Sequence, residues 1–192
     1  YESFTVNERV SAQSASPLRC RRTITSVDAL GRVLAAEREV VRPDRRANVF
    51  QAFEDRPIEF DAWNIDLFIN DRQWSAEPGE GATIIEDGPV RASIEFRRRL
   101  GASTIAQRVR LCRNDRRIDF ATSVDWQERH TMLKVAFPVG VLAQVATYEI
   151  QWGNVTRSTH TNSSWDWAQH ETCAHKWVDL SEGDYGVSLL ND

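Results

Sequence analysis

The chain has 192 residues, of which 41% are hydrophobic and 27% are charged, with a formal net charge of −4 at pH 7. Such a composition is typical of a globular protein with its own core, and it excludes an intrinsically disordered chain. The mild negative charge gives no reason to expect nucleic acid as a partner. No apolar run approaches the roughly 20 residues that a membrane-spanning helix needs, so no membrane partner is expected.

Apolar and polar side chains alternate along the N-terminal part of the chain, which is typical of half-buried β-strands. The pattern predicts strands at residues 3–10, 21–26 and 32–40, with a hairpin turn at 28–31. A helix is the alternative for residues 34–41. Residues 42–46 are predicted to be a loop. Residues 71–88, rich in glycine and proline, are predicted to be a long loop with an apolar pair at Ile84 and Ile85.

The alternation is clearest in VRASIEFRRRL, residues 90–100. One predicted face of this strand carries Val90, Ala92, Ile94, Phe96 and Arg98. The link at 101–103 predicts a hairpin to a strand at 104–112. Further strands are predicted at 117–126, 133–139, 145–152, 174–180 and 185–191. Many short strands separated by turns predict a mostly β fold, a large antiparallel β-sandwich.

We expect residues 1–192 to form a single β-sandwich domain. The chain begins at Tyr1 without a methionine and ends at Asp192 directly after a predicted strand. Both ends therefore lead us to expect an excised part of a larger protein.

Cysteine and histidine spacings provide no catalytic or metal motif. The fragment HETCAH places His170 and His175 five residues apart, whereas a zinc-protease helix needs four, so no metal site is predicted. The three cysteines, Cys20, Cys112 and Cys173, are far apart and predict reduced, buried or half-buried thiols rather than disulfides. Cys173 in particular is interpreted as a buried structural cysteine. No phosphate-binding loop or nucleophile elbow is present, and no catalytic residue is predicted.

Acidic residues and tryptophans lie side by side at two places, Asp61-Ala62-Trp63-Asn64 with Asp66, and Ser164-Trp165-Asp166-Trp167. Carboxylates accept hydrogen bonds from sugar hydroxyls, and aromatic rings cover the apolar face of a sugar. If the first segment is extended, Asp61 and Trp63 share one face. The alternative is structural: the tryptophans anchor a core, and the acids cap strand ends or pair with arginines.

Several segments together resemble the C-terminal β region of glycoside hydrolase family 38, the alpha-mannosidases. The first is Phe53-Glu54-Asp55-x-Pro57 followed by the run from Asp61 to Asp66. The others are ITSVD with GRVL at 24–34, EDGPVRASIEF at 86–96, the Asp-Trp-x-Glu-Arg-His segment within 117–139, and THTNSSWDWAQHETCAHKWVDLSEGDYGVSLLND at 159–192. Two positions depart from the family pattern: Asn64 stands where an aspartate is typical, and Phe60 where tryptophan is frequent.

The resemblance implies a galactose-mutarotase-like supersandwich. It implies a parent enzyme that hydrolyses alpha-mannosidic bonds with retention, using two carboxyl groups and a zinc ion in an N-terminal catalytic domain. No cofactor is expected in these 192 residues, since the zinc belongs to the missing catalytic domain. The implied partners are that domain and mannose-containing oligosaccharides, and the implied setting is the cytoplasm of a bacterium.

The candidate substrate-binding residues are Asp61, Trp63, Asp66, His160, Asn162, Trp165 and Asp166. Their expected role is substrate contact or loop positioning, not proton transfer. One alternative is a free-standing carbohydrate-binding or mutarotase-like module without hydrolase activity. Another is an interdomain module in which the same residues are core. The solvent exposure of Trp63 and Trp165 distinguishes the last alternative from sugar contact.

Overall fold

The structure is a computed structural model. It describes residues 5–11, 19–27, 33–42, 44–60, 63, 65–79, 81–113, 115–169, 171–183 and 185–191. For the residues before 40 and for Pro78, only the backbone is described. The chain divides into two compact units. The first unit comprises Tyr1–Arg56 and Asp71–Pro138, and the second comprises Pro57–Asn70 and Val139–Asp192.

Strands dominate the first unit. In chain order they are β1 (Thr5–Ser11), β2 (Arg19–Val27), β3 (Val33–Glu39), β4 (Val49–Glu54), β5 (Gln73–Ser75), β6 (Glu77–Pro78), β7 (Thr83–Asp87), β8 (Arg91–Leu100), β9 (Ser103–Cys112), β10 (Ile118–Asp125) and β11 (Thr131–Ala136). They form three sheets with the orders β1-β2-β3, β11-β4-β5 and β10-β9-β8-β6, and β7 also pairs with β8. Each of these pairings is antiparallel.

The β8–β9 hairpin is the longest ladder of the first unit, running from Leu100 opposite Ser103 to Arg91 opposite Cys112. Its turn needs a positive φ at Gly101, which adopts +56°. On β9, burial alternates as the sequence predicts: Ser103, Ile105, Gln107 and Val109 are buried. The alternation of apolar and polar residues in the sequence of β9 therefore corresponds to a strand face that is buried in the structure.

A hydrophobic cluster fills the space between two sheets of the first unit. Its members come from β4, β8, β9 and the residue after β5, and Leu133 of β11 packs against them: Phe50, Ala52, Ala76, Leu100 and Ile105. Burying a large apolar side chain contributes about 1.5–3 kcal/mol. Sheets β11-β4-β5 and β10-β9-β8 are thus held face to face as a sandwich.

The second unit contains a four-stranded antiparallel sheet in the order β13-β12-β14-β15. Its strands are β12 (Val145–Ile150), β13 (Gly153–Ser158), β14 (Trp177–Glu182) and β15 (Tyr185–Leu190). A 3-10 helix at Leu67–Asp71 and a short helix α1 (Ser164–Ala168) accompany it. Among its described side chains, Ile69 and Ala146 are the buried hydrophobic ones.

The predicted mostly antiparallel β fold is confirmed. Residues 34–41 do not form a helix, since Val33–Glu39 is a strand paired with β2. The predicted turn at 28–31 lies outside the described residues. The prediction of a long loop at 71–88 is wrong, because β5, β6 and β7 lie within it as short strands paired with β4 and β8. Strands of two to five residues, such as β5, β6 and β7, contain too few alternating positions for the pattern to be recognised in the sequence.

Two further corrections concern the second unit. Strand β13 and helix α1 were not predicted, and Cys173 is exposed rather than buried. The thiol of Cys112, in the first unit, is half-buried as expected. No helix in the described parts of the chain is long and apolar enough to span a membrane.

Candidate functional site

Of the first acid–tryptophan segment and its flanks, residues 58–60, 63, 65 and 66 are described, and none of them lies in a strand. Asp66 Oδ2 accepts a hydrogen bond from the Ile58 N–H at 2.8 Å, across eight residues. Within this loop the Trp63 N–H donates to the Phe60 carbonyl at 3.1 Å, and Phe60 has a positive φ of 53°. The Trp63 side chain is 84% exposed. The loop therefore uses Asp66 to fix its backbone and presents the indole of Trp63 outward, while Asp61 lies outside the described residues.

The second segment begins with a capping box. Ser163 is the N-cap of α1, and its Oγ accepts a hydrogen bond from the Asp166 N–H at 3.2 Å. In return, Asp166 Oδ2 accepts from the Ser163 N–H at 3.1 Å and from the Ser163 hydroxyl at 2.6 Å. These bonds satisfy backbone donors that a helix start leaves without intrahelical partners. The carboxylate of Asp166 is therefore engaged in holding the start of α1.

Two further side chains approach the same carboxylate. His160 Nδ1 lies 3.6 Å from Asp166 Oδ2, and the Ser158 side chain is near enough to affect the pKa of Asp166. Hydrogen bonds from the Ser163 and Ser158 side chains, with smaller contributions from the Ser163 backbone and His160, hold the pKa of Asp166 below its ordinary value. Asp166 is thus a carboxylate that stays ionised, which suits an anchoring group rather than a proton donor.

The structure therefore places the predicted residues in different surroundings. His160 and Asp166 meet, and Asn162 is exposed just before the N-cap Ser163. Trp165, the residue preceding Asp166, is 81% exposed. Neither Trp63 nor Trp165 is a core residue, which contradicts the interpretation of these tryptophans as core anchors.

A further exposed indole was missed from the sequence. Trp152 occupies the two-residue turn between β12 and β13, is fully exposed, and has a φ of +64°. Large side chains rarely adopt this left-handed conformation. The adjoining Gly153 and the two flanking alternating segments were the available hairpin signal.

Glu128, in the Asp-Trp-x-Glu-Arg-His segment, has a structural position in the first unit. Its Oε1 accepts from the Ala102 N–H at 2.8 Å, the Ser103 N–H at 3.2 Å and the Ser103 hydroxyl at 3.1 Å. Ser103 is fully buried. The carboxylate therefore caps the β8–β9 turn.

The described residues do not fit a metal site. Among them, no group of three or more histidine, cysteine, aspartate or glutamate side chains is arranged to hold a metal ion. The pair His160 and Asp166 offers two groups, and Asp166 is already engaged by Ser163. A protein zinc site needs at least three protein ligands, so no step of any reaction is assigned to a metal here.

Comparison with known proteins assigns the chain to a family. Residues 32–192 match the glycosyl hydrolases family 38 C-terminal domain. Alpha-mannosidase 2C1 of Mus musculus is 38% identical over 162 residues, which cover 83% of this chain and 16% of that protein. Alpha-mannosidase G of Dictyostelium discoideum is 38% identical over 164 residues, covering 82% of this chain and 15% of that protein.

Two further similarities agree. The alpha-mannosidase of Saccharomyces cerevisiae is 32% identical over 194 residues, covering 90% of this chain and 17% of that protein. The crystal structure of an alpha-mannosidase from Enterococcus faecalis V583 shares the fold with a TM-score of 0.61 at 14% identity, covering 97% of this chain and 24% of that one.

The chain spans about a sixth of the length of the curated relatives it matches. Those relatives are eukaryotic proteins and do not support the expected bacterial source, and the cytoplasmic location stays a prediction. The match over residues 32–192 and identities up to 38% agree with the resemblance seen in the separate motifs. This chain belongs to the C-terminal domain family of the family 38 glycosyl hydrolases.

Proposed function

We propose that this chain is the non-catalytic β-sandwich portion of a retaining, zinc-dependent alpha-mannosidase, and that it packs on the catalytic domain and helps to shape the mannose cleft. The observation that carries the proposal is the exposure of two indoles next to anchored carboxylates, Trp63 at 84% and Trp165 at 81%. The names of the relatives, all alpha-mannosidases, supply the reaction class.

Exposed indoles need a physical reason. Tryptophan is highly buried on average in folded proteins, so a nearly bare ring is expected to gain from a ligand or partner that covers it. An indole offers a flat apolar surface that matches the C–H face of a pyranose. In the proposal, Trp63 and Trp165 cover mannose residues, while Asn162 and His160 are the nearby polar groups available to hydroxyls.

The hydrolytic chemistry is assigned to the part of the parent protein outside this chain. Retention requires two carboxyl groups about 5 Å apart on opposite sides of the anomeric carbon. The two aspartates of the candidate site whose contacts are described, Asp66 and Asp166, are each bonded to local backbone N–H groups. We therefore assign the nucleophile, the acid catalyst and the zinc to the catalytic domain.

The free-standing carbohydrate-binding module would use the same two indoles. It differs in having no hydrolase partner on the same polypeptide. The chain covers only 15–17% of the curated relatives' length, which favours the alternative in which it is one part of a longer enzyme.

The test replaces the indoles in the full-length protein. Trp63→Ala and Trp165→Ala are each expected to raise the KM for an alpha-linked mannobiose about tenfold, because the loss of an aromatic contact of about 1.4 kcal/mol is tenfold in affinity. The kcat is expected to change less than threefold, since neither ring takes part in bond cleavage. Steady-state rates with mannobiose and with 4-nitrophenyl alpha-mannoside are measured in parallel.

Trp152→Ala is the matched control, because it removes an even more exposed indole that lies in the same unit but outside the candidate set. It is expected to leave KM within twofold of the wild-type value. If Trp63→Ala and Trp165→Ala both keep the wild-type KM and the wild-type melting temperature, these two residues do not contribute to the mannose cleft.

A further inference from the structure

Helix α1 is too short to be stable without contacts beyond its own backbone hydrogen bonds. It spans the five residues Ser164–Ala168, has no buried residue and has no basic residue in its last turn. Isolated helices shorter than about 12–15 residues are marginal in water. The order of α1 therefore depends on contacts at its ends, and the capping box at Ser163 and Asp166 supplies them.

Asp166 lies where the connecting loop meets the start of α1. Its carboxylate accepts hydrogen bonds from the Ser163 N–H and the Ser163 hydroxyl at the helix start. His160, on the preceding segment, lies 3.6 Å away. The Ser158 side chain, at the last residue of β13, helps to lower the pKa of Asp166.

Trp165 lies between these fixed points, one residue before Asp166. Consecutive residues of a helix point about 100° apart, so the two side chains cannot share a direction. The carboxylate is directed toward Ser163, while the indole is 81% exposed. Orientation of the ring is therefore set by a backbone that Asp166 holds.

We infer that Asp166 is a positioning residue, which fixes the exposed indole of Trp165 for contact with mannose through its hydrogen bonds with Ser163 and does not itself bind the sugar. The inference rests on the proposed function for its sugar contact. The loop at Trp63 shows the same arrangement independently, since Asp66 closes the loop by accepting from Ile58 while Trp63 is exposed.

The experiment uses the full-length protein labelled with 5-fluorotryptophan, in which the Trp165 resonance is identified by its loss in Trp165→Phe. Asp166→Ala is expected to shift or broaden the Trp165 ¹⁹F signal and to leave the Trp152 signal in place. The same variant is expected to raise KM for mannobiose to the level of Trp165→Ala, about tenfold. The double variant is expected to be no worse than Trp165→Ala alone, because residues acting through one another are not additive.

Asp166→Asn is the conservative variant. Its side-chain oxygen still accepts from the Ser163 N–H, so the Trp165 signal is expected to stay near its wild-type position and KM to rise less than threefold. An unmoved Trp165 signal in Asp166→Ala would overturn the inference. So would KM increases that multiply in the double variant, since multiplication means that Asp166 contacts the sugar itself.

The two proposals fail separately. If Trp165→Ala leaves KM unchanged, the sugar contact at Trp165 is wrong, and the ¹⁹F signal in Asp166→Ala still decides whether Asp166 positions the ring. If Trp165→Ala raises KM but Asp166→Ala changes neither the signal nor KM, the positioning role is wrong and the proposed function stands.

Discussion

The two units are stabilised in different ways. The first unit has a packed cluster of buried apolar side chains between two sheets, with Ile105 at 1% and Leu100 at 2% exposure. In the second unit, Ile69 and Ala146 are the buried hydrophobic residues among its described side chains, and Trp63, Leu142, Trp152 and Trp165 are each more than 80% exposed. The second unit relies on strand ladders and polar caps.

The two units differ in what holds their side chains and backbone in place. A packed core fixes side chains because each neighbour excludes alternatives. Polar caps such as those of Asp66 and Asp166 fix a local backbone while leaving adjacent side chains free to meet a partner. The first unit therefore has side chains fixed by a core, and the second has exposed side chains next to backbone segments fixed by polar caps.

The largest expected effect comes from truncating the first unit's core. Ile105→Ala is expected to destabilise the β8–β9 hairpin by about 3 kcal/mol, through lost burial and a residual cavity. Hydrogen exchange of the β8 and β9 amides in the full-length protein measures it. Leu142→Ala, at a site 90% exposed in the second unit, is the control and is expected to cost less than about 0.5 kcal/mol. Equal losses in the two variants would abolish the contrast between the units.

An intermediate effect is expected at the cap within the first unit. Glu128→Ala leaves the N–H groups of Ala102 and Ser103 without their acceptor, at a cost of about 2 kcal/mol. Glu128→Gln retains an acceptor oxygen and is expected to cost about half as much. Amide exchange at Ala102 and Ser103 reports both changes. Unaltered exchange in Glu128→Ala would mean that the core alone holds this turn.

The smallest effect is an acid transition confined to the second unit. Because the folded-state pKa of Asp166 is lowered from 3.8, its cap contributes stability fully above pH 3.8 and loses it as the pH falls through the folded-state value. The ¹⁹F signal of Trp165 is expected to move only slightly as the pH falls below 3.8, toward its position in Asp166→Asn, because a protonated aspartate, like asparagine, keeps an acceptor oxygen for the Ser163 N–H. In Asp166→Asn, which has no carboxylate to protonate, the signal is expected to stay constant.

Trp74 on β5 of the first unit is the internal reference for that titration, because its sheet is held by apolar packing that does not titrate. A Trp74 signal that moves together with that of Trp165 would indicate general acid unfolding rather than release of one cap.

Much of the fold could be predicted where the chain alternates strictly. The predicted strand at 90–100 is β8 within one residue. The predicted hairpin forms, but its link is one residue shorter than the predicted 101–103, because Ser103 already pairs with Leu100. The short strands within 71–88 were missed because their pairing partners, β4 and β8, hold them by ladder bonds rather than by a pattern of their own. Helix α1 has a sequence signal, serine followed three residues later by aspartate, that was not used.

The candidate site was predicted only as a list of residues. Sequence adjacency of acids and tryptophans indicated two segments, but it could not assign one role to the acids and another to the rings. The assignment depends on which hydrogen-bond donors each carboxylate meets, and those come from Ile58 for Asp66 and from Ser163 for Asp166.

By itself, the sequence determined the period-two strands, the antiparallel β class and membership of the family, because side-chain alternation and local motifs are written directly in residue order. Only the tertiary structure decided that Trp63 and Trp165 are bare and that Asp66 and Asp166 are engaged. The physical reason is that exposure and hydrogen-bond partners are fixed by loop closure and strand pairing, which bring together residues that are separated along the chain.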